Sequence, residues 1–343
     1  MFVMKKSILI ALAVLVLAAC SNSKSNEEPE KKGSSGKTLE LLIVANQDVY
    51  CGDTKALTDS LFKRPQPCLL EPQSLFDVVN IPLSSFQNTE MFQVHRNVLI
   101  FDVRPGNPDK VYLHRDQYAA PQVIFDFAAS SPAKLQELLR RYEQSILDNL
   151  YDAEHRRIIK AFRGINNYDL NEQVRKKFGF GLQFSNEFAW AKSEDDFAWI
   201  RKEAKDFGIG VLVDVQPYVR RDQFDEQHIL DRLDTVMKRH VPASAEGSYA
   251  GIERRRDSEG YYLAPIQLKA VDFPNSTYCV ETRGNWRSFG DIMGGPFVCY
   301  TLLSPDNKQV VTLMGYVYCP RNKPWTKRDL LMQLESICYS IDY

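Results

Sequence analysis

An uncharged, largely apolar run from Ser7 to Ala19 that stops at a cysteine decides where the rest of this chain must fold. Lys5 and Lys6 stand before it, and no acid does. A helix crossing the roughly 30 Å hydrocarbon core needs about 20 apolar residues, so this run is too short to span and fits a signal-peptide core instead. Leu17-Ala18-Ala19-Cys20 reads as a lipobox. Small side chains let a peptidase reach the bond before Cys20, and the thiol, free at the membrane surface, takes lipid of the palmitate class. Met4 makes a better start than Met1, because Phe2 and Val3 add nothing to the cationic segment. Stable attachment needs more than one acyl chain, each buried methylene contributing about 0.8 kcal/mol. An ordinary secretory signal or an uncleaved span fits less well, since a polar tract follows at once.

That tract, Ser21 to Lys37, is Ser, Asn, Gly, Pro and charge, and it buries too little to offset its ordering entropy. The expected organisation is a signal peptide at 1–19, the lipidated cysteine and tether at 20–37, and an N-terminal half at 38–165 and a C-terminal half at 166–343, either as two units or as one continuous domain. Ser21 is compatible with sorting to an outer membrane, with the leaflet open. Loss of residues 1–19 removes two lysines and no acid, which takes the formal charge from −1 to −3. Such near-balance argues against nucleic acid as a partner.

Six cysteines follow Cys20: Cys51, Cys68, Cys279, Cys299, Cys319 and Cys338. An exported chain permits disulfides. Cys51 and Cys68 close a short segment holding Gly52, Pro65 and Pro67, and are the candidate pair; the last four allow three connectivities. Buried free thiols are the alternative. No CxxC occurs, so zinc-ribbon and thioredoxin-like chemistry has no support.

Patterning predicts strands at Leu39–Ala45, Val78–Ile81, Asn97–Val103 and Gln122–Phe127. A helix capped by Asp53 runs to about Lys63. Ser131-Pro132 starts a long helix, with Asp152 capping a continuation through Phe162. In the second half strands are expected at Gly181–Phe184, Phe188–Lys192, Phe197–Lys202, Gly210–Val219, Ile266–Val271, Thr277–Thr282, Phe297–Leu303 and Val310–Tyr318. Helices are expected at Asp222–His240 and from a Thr326 cap to about Ile341. The fold class is α+β: an α/β-like layer, then a mainly antiparallel sheet with helices packed on one side.

The most individual stretches are Glu281-Thr282-Arg283-Gly284-Asn285-Trp286 and Met293-Gly294-Gly295-Pro296-Phe297. With the lipoprotein start, the Lys37-to-Ala45 strand and Asp196-Phe197-Ala198-Trp199-Ile200-Arg201, they resemble the domain-of-unknown-function family DUF4837, bacterial envelope lipoproteins. The resemblance covers nearly all of the chain after the tether and implies an extracytoplasmic location, but no activity and no catalytic residue. Read physically, Gly294-Gly295 before Pro296 allows positive φ or close approach of another backbone. Either a loop there cradles a ligand or partner, with Arg283 and Trp286 at its rim, or the arginine pairs with a carboxylate and the tryptophan fills core.

Other groups carry blander readings. His95, His114, His155, His228 and His240 form no HExxH, and Glu154-His155 beside Arg156 and Arg157 reads as a surface helix. Glu194-Asp195-Asp196 reads as a solvated turn, and Arg254-Arg255-Arg256 as an exposed loop. Tyr316 and Tyr318 share a strand face. With Trp325 they form either a sugar or peptide platform or, better, a core layer against the final helix. No GxSxG, P-loop or dinucleotide fingerprint occurs, and no cofactor or metal is expected. The function that fits is a membrane-anchored protein binding an envelope protein or small molecule without catalysis. The alternatives are a hydrolase of unrecognised type and a subunit of an assembly or transport machine.

Overall fold

The structure, a computed structural model, describes residues 31–320 and 326–343. Cys20, the signal segment and Trp325 lie outside the described residues.

The first layer contains β1 (Glu40–Val44), α1 (Gly52–Phe62), β2 (Asp77–Ile81), α2 (Leu83–Asn88), α3 (Glu90–Gln93), β3 (Asn97–Val103), β4 (Lys110–Arg115), β5 (Val123–Ala129) and α4 (Pro132–Gly164). Its sheet has the order β2-β1-β3-β5-β4, parallel except for β4. A central parallel strand is covered on both faces and so reads as one apolar run. In β1, Leu41 and Ile43 face α1 and α4, while Leu42 and Val44 face Phe86 of α2. Ser131 caps α4 by accepting from the Lys134 N–H, with Pro132 in the first turn. The expected restart at Asp152 is absent: α4 is one helix of 33 residues, and Asp152 pairs instead with Arg156 at 3.0 Å. The described chain also begins before the expected tether boundary. Ser35 bridges to His95, and the Arg157 guanidinium donates to the Ser34 hydroxyl at 3.1 Å.

The second layer contains α5 (Tyr168–Phe178), β6 (Ala189–Glu194), β7 (Phe197–Glu203), β8 (Gly208–Pro217), a 3₁₀ turn at Arg221–Phe224, α6 (Glu226–His240), β9 (Tyr249–Ile252), β10 (Gln267–Ala270), β11 (Tyr278–Phe289), β12 (Gly294–Leu303), β13 (Gln309–Tyr318) and α7 (Lys327–Tyr339). Its strands run β10-β11-β12-β13-β8-β7-β6, all antiparallel, with β9 paired to the far end of β11. The α+β class holds. The helices, however, do not lie on one side. Val211, Val213 and Leu313 face α5 and α7, while Leu212 and Met314 face α6, so β8 and β13 are buried on both faces. The expected strand at Gly181–Phe184 is instead an irregular segment, with one bridge from Gly181 to Asp342, whose Leu182 and Phe184 fill the α5–α7 core.

The helix α7 joins the layers. One side packs on the second sheet, Met332 enters the first core, and the Arg328 guanidinium donates to Asp77 of β2 at 2.9 Å. His155 of α4 stacks on Tyr339 of α7, ring centroids 4.1 Å apart, and shares a hydrogen bond with Ser336 at 3.1 Å.

Candidate functional site

Gly294 and Gly295 do not form a loop. They open β12 and pair with Arg287 and Trp286 of β11. Neither takes positive φ; close approach is what requires them. A Cβ on Gly295 would stand 2.0 Å from the Val317 carbonyl oxygen, and one on Gly294 would stand 2.9 Å from that of Trp286. The Trp286 indole lies across this bare strand and donates to the Val317 carbonyl at 3.0 Å. Pro296, which follows, has no N–H to offer that oxygen.

Arg283 and Trp286 cannot share a rim either. An odd separation along a strand places them on opposite faces. Arg283 faces α7, where Glu281 and Glu335 both grip its guanidinium at 2.9–3.0 Å and the Tyr300 hydroxyl reaches Glu281 at 3.3 Å. Burial opposes ionisation of Glu281, but the Arg283 charge outweighs it and brings the carboxyl down to about 2. Among the two earlier readings of these residues, the arginine paired with carboxylates and the tryptophan packed inside is the one the geometry gives.

Cys51 and Cys68 are not joined. Cys51 is exposed, and its thiol turns to the Asp48 carbonyl; Cys68 is buried, and its thiol faces the Arg283 carbonyl at 3.5 Å. Cys279, Cys299, Cys319 and Cys338 are buried, and burial pushes the Cys299 thiol up to about 12. Glu154 and His155 are not on a surface. Glu154 is fully buried, accepting from the Leu39 N–H, the Asn97 amide and Arg96, with Arg157 at 3.0 Å. Arg254 is held by Asp231 and Asp234, Arg255 by Glu253, and Arg256 stacks on Tyr262. Among the described residues, no group of three or more His, Cys, Asp or Glu side chains is placed to hold a metal ion.

The concave site lies on the other face of the second sheet, away from α7. A cavity of about 790 Å³ opens between the sheet and the C-terminal end of α6. Its floor follows from strand alternation. On β7, Trp199, Arg201 and Glu203 point the same way; on β8 Gly208 and Leu212 share that face, with Gly210 between them under the Tyr316 ring; on β13 Tyr316 and Tyr318 do. Met237, Val241 and Ser244 form the roof, with Met293 and Trp286 closing one side. The β8 glycines make the hollow. A Cβ at Gly210 would stand 2.7 Å from the Tyr316 ring, and one at Gly208 would stand 2.9 Å from the Glu203 carboxylate. Tyr316 and Tyr318 therefore share a face as expected, but it is the face opposite α7; Val317 packs on the α7 side.

The indole N–H of Trp199 is already spent on the Tyr316 hydroxyl at 2.8 Å, and that of Trp286 on Val317. Burial raises the Tyr316 phenol, which keeps its proton. Charge is confined to the mouth, where Arg201 lies 5.1 Å over the Trp199 ring and 3.5 Å from Glu203. Sequence reasoning found Trp286 and the Tyr316/Tyr318 face but missed Trp199 with Arg201 and the Gly208/Gly210 pair. Period-2 alternation in Phe197-Ala198-Trp199-Ile200-Arg201 and Gly208-Ile209-Gly210 was the available signal.

Residues 4–21 match the prokaryotic membrane lipoprotein lipid attachment site, with Cys20 as its cysteine. No curated protein matches the chain. The resemblance to one family over nearly the whole chain narrows, because residues 34–163, with the opening strand, match a different domain of unknown function, DUF8532. Residues 167–340, half of the chain, match the domain of unknown function DUF4837, and this lipid-anchored protein belongs to that family.

Proposed function

We propose that the protein is a binding protein of the cell envelope, held at the outer membrane by lipid on Cys20, that takes up a small ligand in the aromatic cavity without transforming it. The observation that carries this reading is the cavity itself. It falls within the roughly 300–1,000 Å³ typical of small-molecule sites, and its wall is aromatic and apolar with a few charged groups at one end.

The wall argues for binding rather than chemistry. Its ionisable side chains are Arg201, Glu203, Tyr316 and Tyr318, and its one hydroxyl outside the tyrosines, on Ser244, is directed at the Met293 sulfur at 3.4 Å. No histidine, cysteine or aspartate lies among these lining residues to form a nucleophile–base pair. His155, Glu281, Arg283 and Tyr300, all strongly displaced from their ordinary ionisation, are packed between α4, α7 and the sheet, while in the cavity wall burial raises the Tyr316 phenol, which keeps its proton and is no base.

The test is a ligand screen on the mature chain carrying Cys20→Ser, read by tryptophan emission, since Trp199 and Trp286 both face the cavity. Saturable quenching that disappears in Gly208→Leu is the expected result. A ligand bound with equal affinity by wild type and by that variant would place recognition elsewhere and overturn the reading.

A further inference from the structure

We infer that the cavity's ligand is an amphiphile, with an apolar body among Leu212, Met237, Trp286 and Met293 and a polar head at Arg201 and Glu203; this rests on the binding reading above. The division of the wall by depth is the basis. Leu212 and Met237 are 2% exposed and Trp286 is 6% exposed, so the inner wall presents carbon and sulfur. The three indole donors of the wall are consumed within the protein, Trp190 on Gln173, Trp199 on Tyr316 and Trp286 on Val317, leaving the Tyr316 hydroxyl as the one inner polar group of a side chain. A sugar carries a hydroxyl on most of its carbons, and each one buried here without a partner would weaken binding severalfold or more. An apolar body meets no such penalty. Two methionines, unbranched and polarisable, suit a body of variable shape better than a rigid one.

The mouth reverses this chemistry. Arg201 and Glu203 stand side by side on β7, 3.5 Å apart, their side chains 43% and 55% exposed. Together they offer a cation and an anion to a head that carries both signs. The Arg201 guanidinium is also braced over the Trp199 ring, which fixes it at the boundary between the apolar wall and water. The glycine at 208 is what lets the Glu203 carboxylate fold over the opening, because a side chain there would meet that carboxylate first. Since the carboxylate is the end of a flexible side chain, Gly208→Leu can fold with Glu203 displaced and its own isobutyl group in the cavity.

The experiment uses the mature chain with Cys20→Ser and 11-(dansylamino)undecanoic acid, followed by energy transfer from tryptophan. Competitors are dodecylphosphocholine, dodecanol and maltotetraose, each below any micelle concentration. The account expects saturation at one probe per chain, displacement by dodecylphosphocholine and dodecanol, and none by maltotetraose. Arg201→Gln should weaken dodecylphosphocholine about fivefold, the scale of a partly exposed ion pair, and leave dodecanol unchanged. Gly208→Leu and Ala243→Phe, checked for folding by circular dichroism, should each weaken the probe tenfold or more. Displacement by maltotetraose and not by dodecylphosphocholine would overturn the amphiphile while keeping the cavity as a binding site. Probe binding that neither cavity variant weakens would overturn both.

Discussion

The indole N–H of Trp286 on β11 donates to the main-chain carbonyl of Val317 on β13, 3.0 Å away, across the strand that separates them. Gly295 makes the crossing feasible, since any Cβ there would collide with that carbonyl. The relationship fixes the aromatic side of the cavity and explains why Met293-Gly294-Gly295-Pro296-Phe297 looks so individual. Replacing Gly295 with alanine should therefore destabilise the fold by about 2 kcal/mol or more, the scale of overpacking plus a lost buried hydrogen bond. Chemical denaturation with tryptophan emission checks this. Wild-type stability in the variant would mean the crossing is not required.

The Arg283 guanidinium lies directly between two buried carboxylates, Glu281 and Glu335. Arg283→Met should cost about 3–5 kcal/mol, because it leaves Glu335 without a cation and Glu281 with Lys269 alone, 3.2 Å away, whereas an apolar replacement of all three would cost far less. Measured unfolding free energies of the single and triple variants separate the two cases. Glu281 also sets an acid limit. Its folded value of about 2 lies below the ordinary 4.5, so its contribution is complete above pH 4.5 and is lost as pH falls towards 2.

A histidine governs a higher window. Burial first, then the nearby Arg283 charge, holds His155 at about 3 against an ordinary 6.5. The unfolded chain takes up this proton near pH 6.5 and the folded chain refuses it, so stability is full above 6.5 and declines below it. The slope from one such group is about 1.4 kcal/mol per pH unit. In His155→Phe, urea midpoints between pH 4.5 and 6.5 should decline less steeply by one proton. Some slope should remain, because burial also lowers His95 and His240. An unchanged slope would show that His155 is protonated in the folded protein.

Cys20→Ser should move the protein from the membrane fraction to the soluble fraction and abolish incorporation of labelled palmitate. Fractionation and labelling in cells check both. Retention of the variant in the membrane fraction would assign attachment to another part of the chain.

What was legible in the sequence was local. Ser131 before Pro132, and Thr326, start helices by hydrogen bonds within a turn, and Asn97–Val103 announces a central strand by its apolar run. The edge strand Lys110–Arg115 escaped notice because its exposed, polar residues match a loop as well as a strand. The helix Tyr168–Phe178 was readable and missed. Asn167 caps it, Leu170, Val174 and Phe178 recur every four residues, and Gly179 ends it at positive φ. The cavity was not readable in the same way. Trp199, Leu212, Trp286 and Tyr316 come from four strands, and only the order β11-β12-β13-β8-β7 brings their side chains to one face. Glu154 misled for a related reason: its partners Leu39, Arg96 and Asn97 are distant in sequence, so a buried carboxylate looked like a solvated one.

The measurement that bears most directly on the cavity is native mass spectrometry of the chain after incubation with dodecylphosphocholine, wild type beside Gly208→Leu. The account predicts one adduct per wild-type chain and none on the variant. Equal adducts on both, or none on wild type, would contradict it.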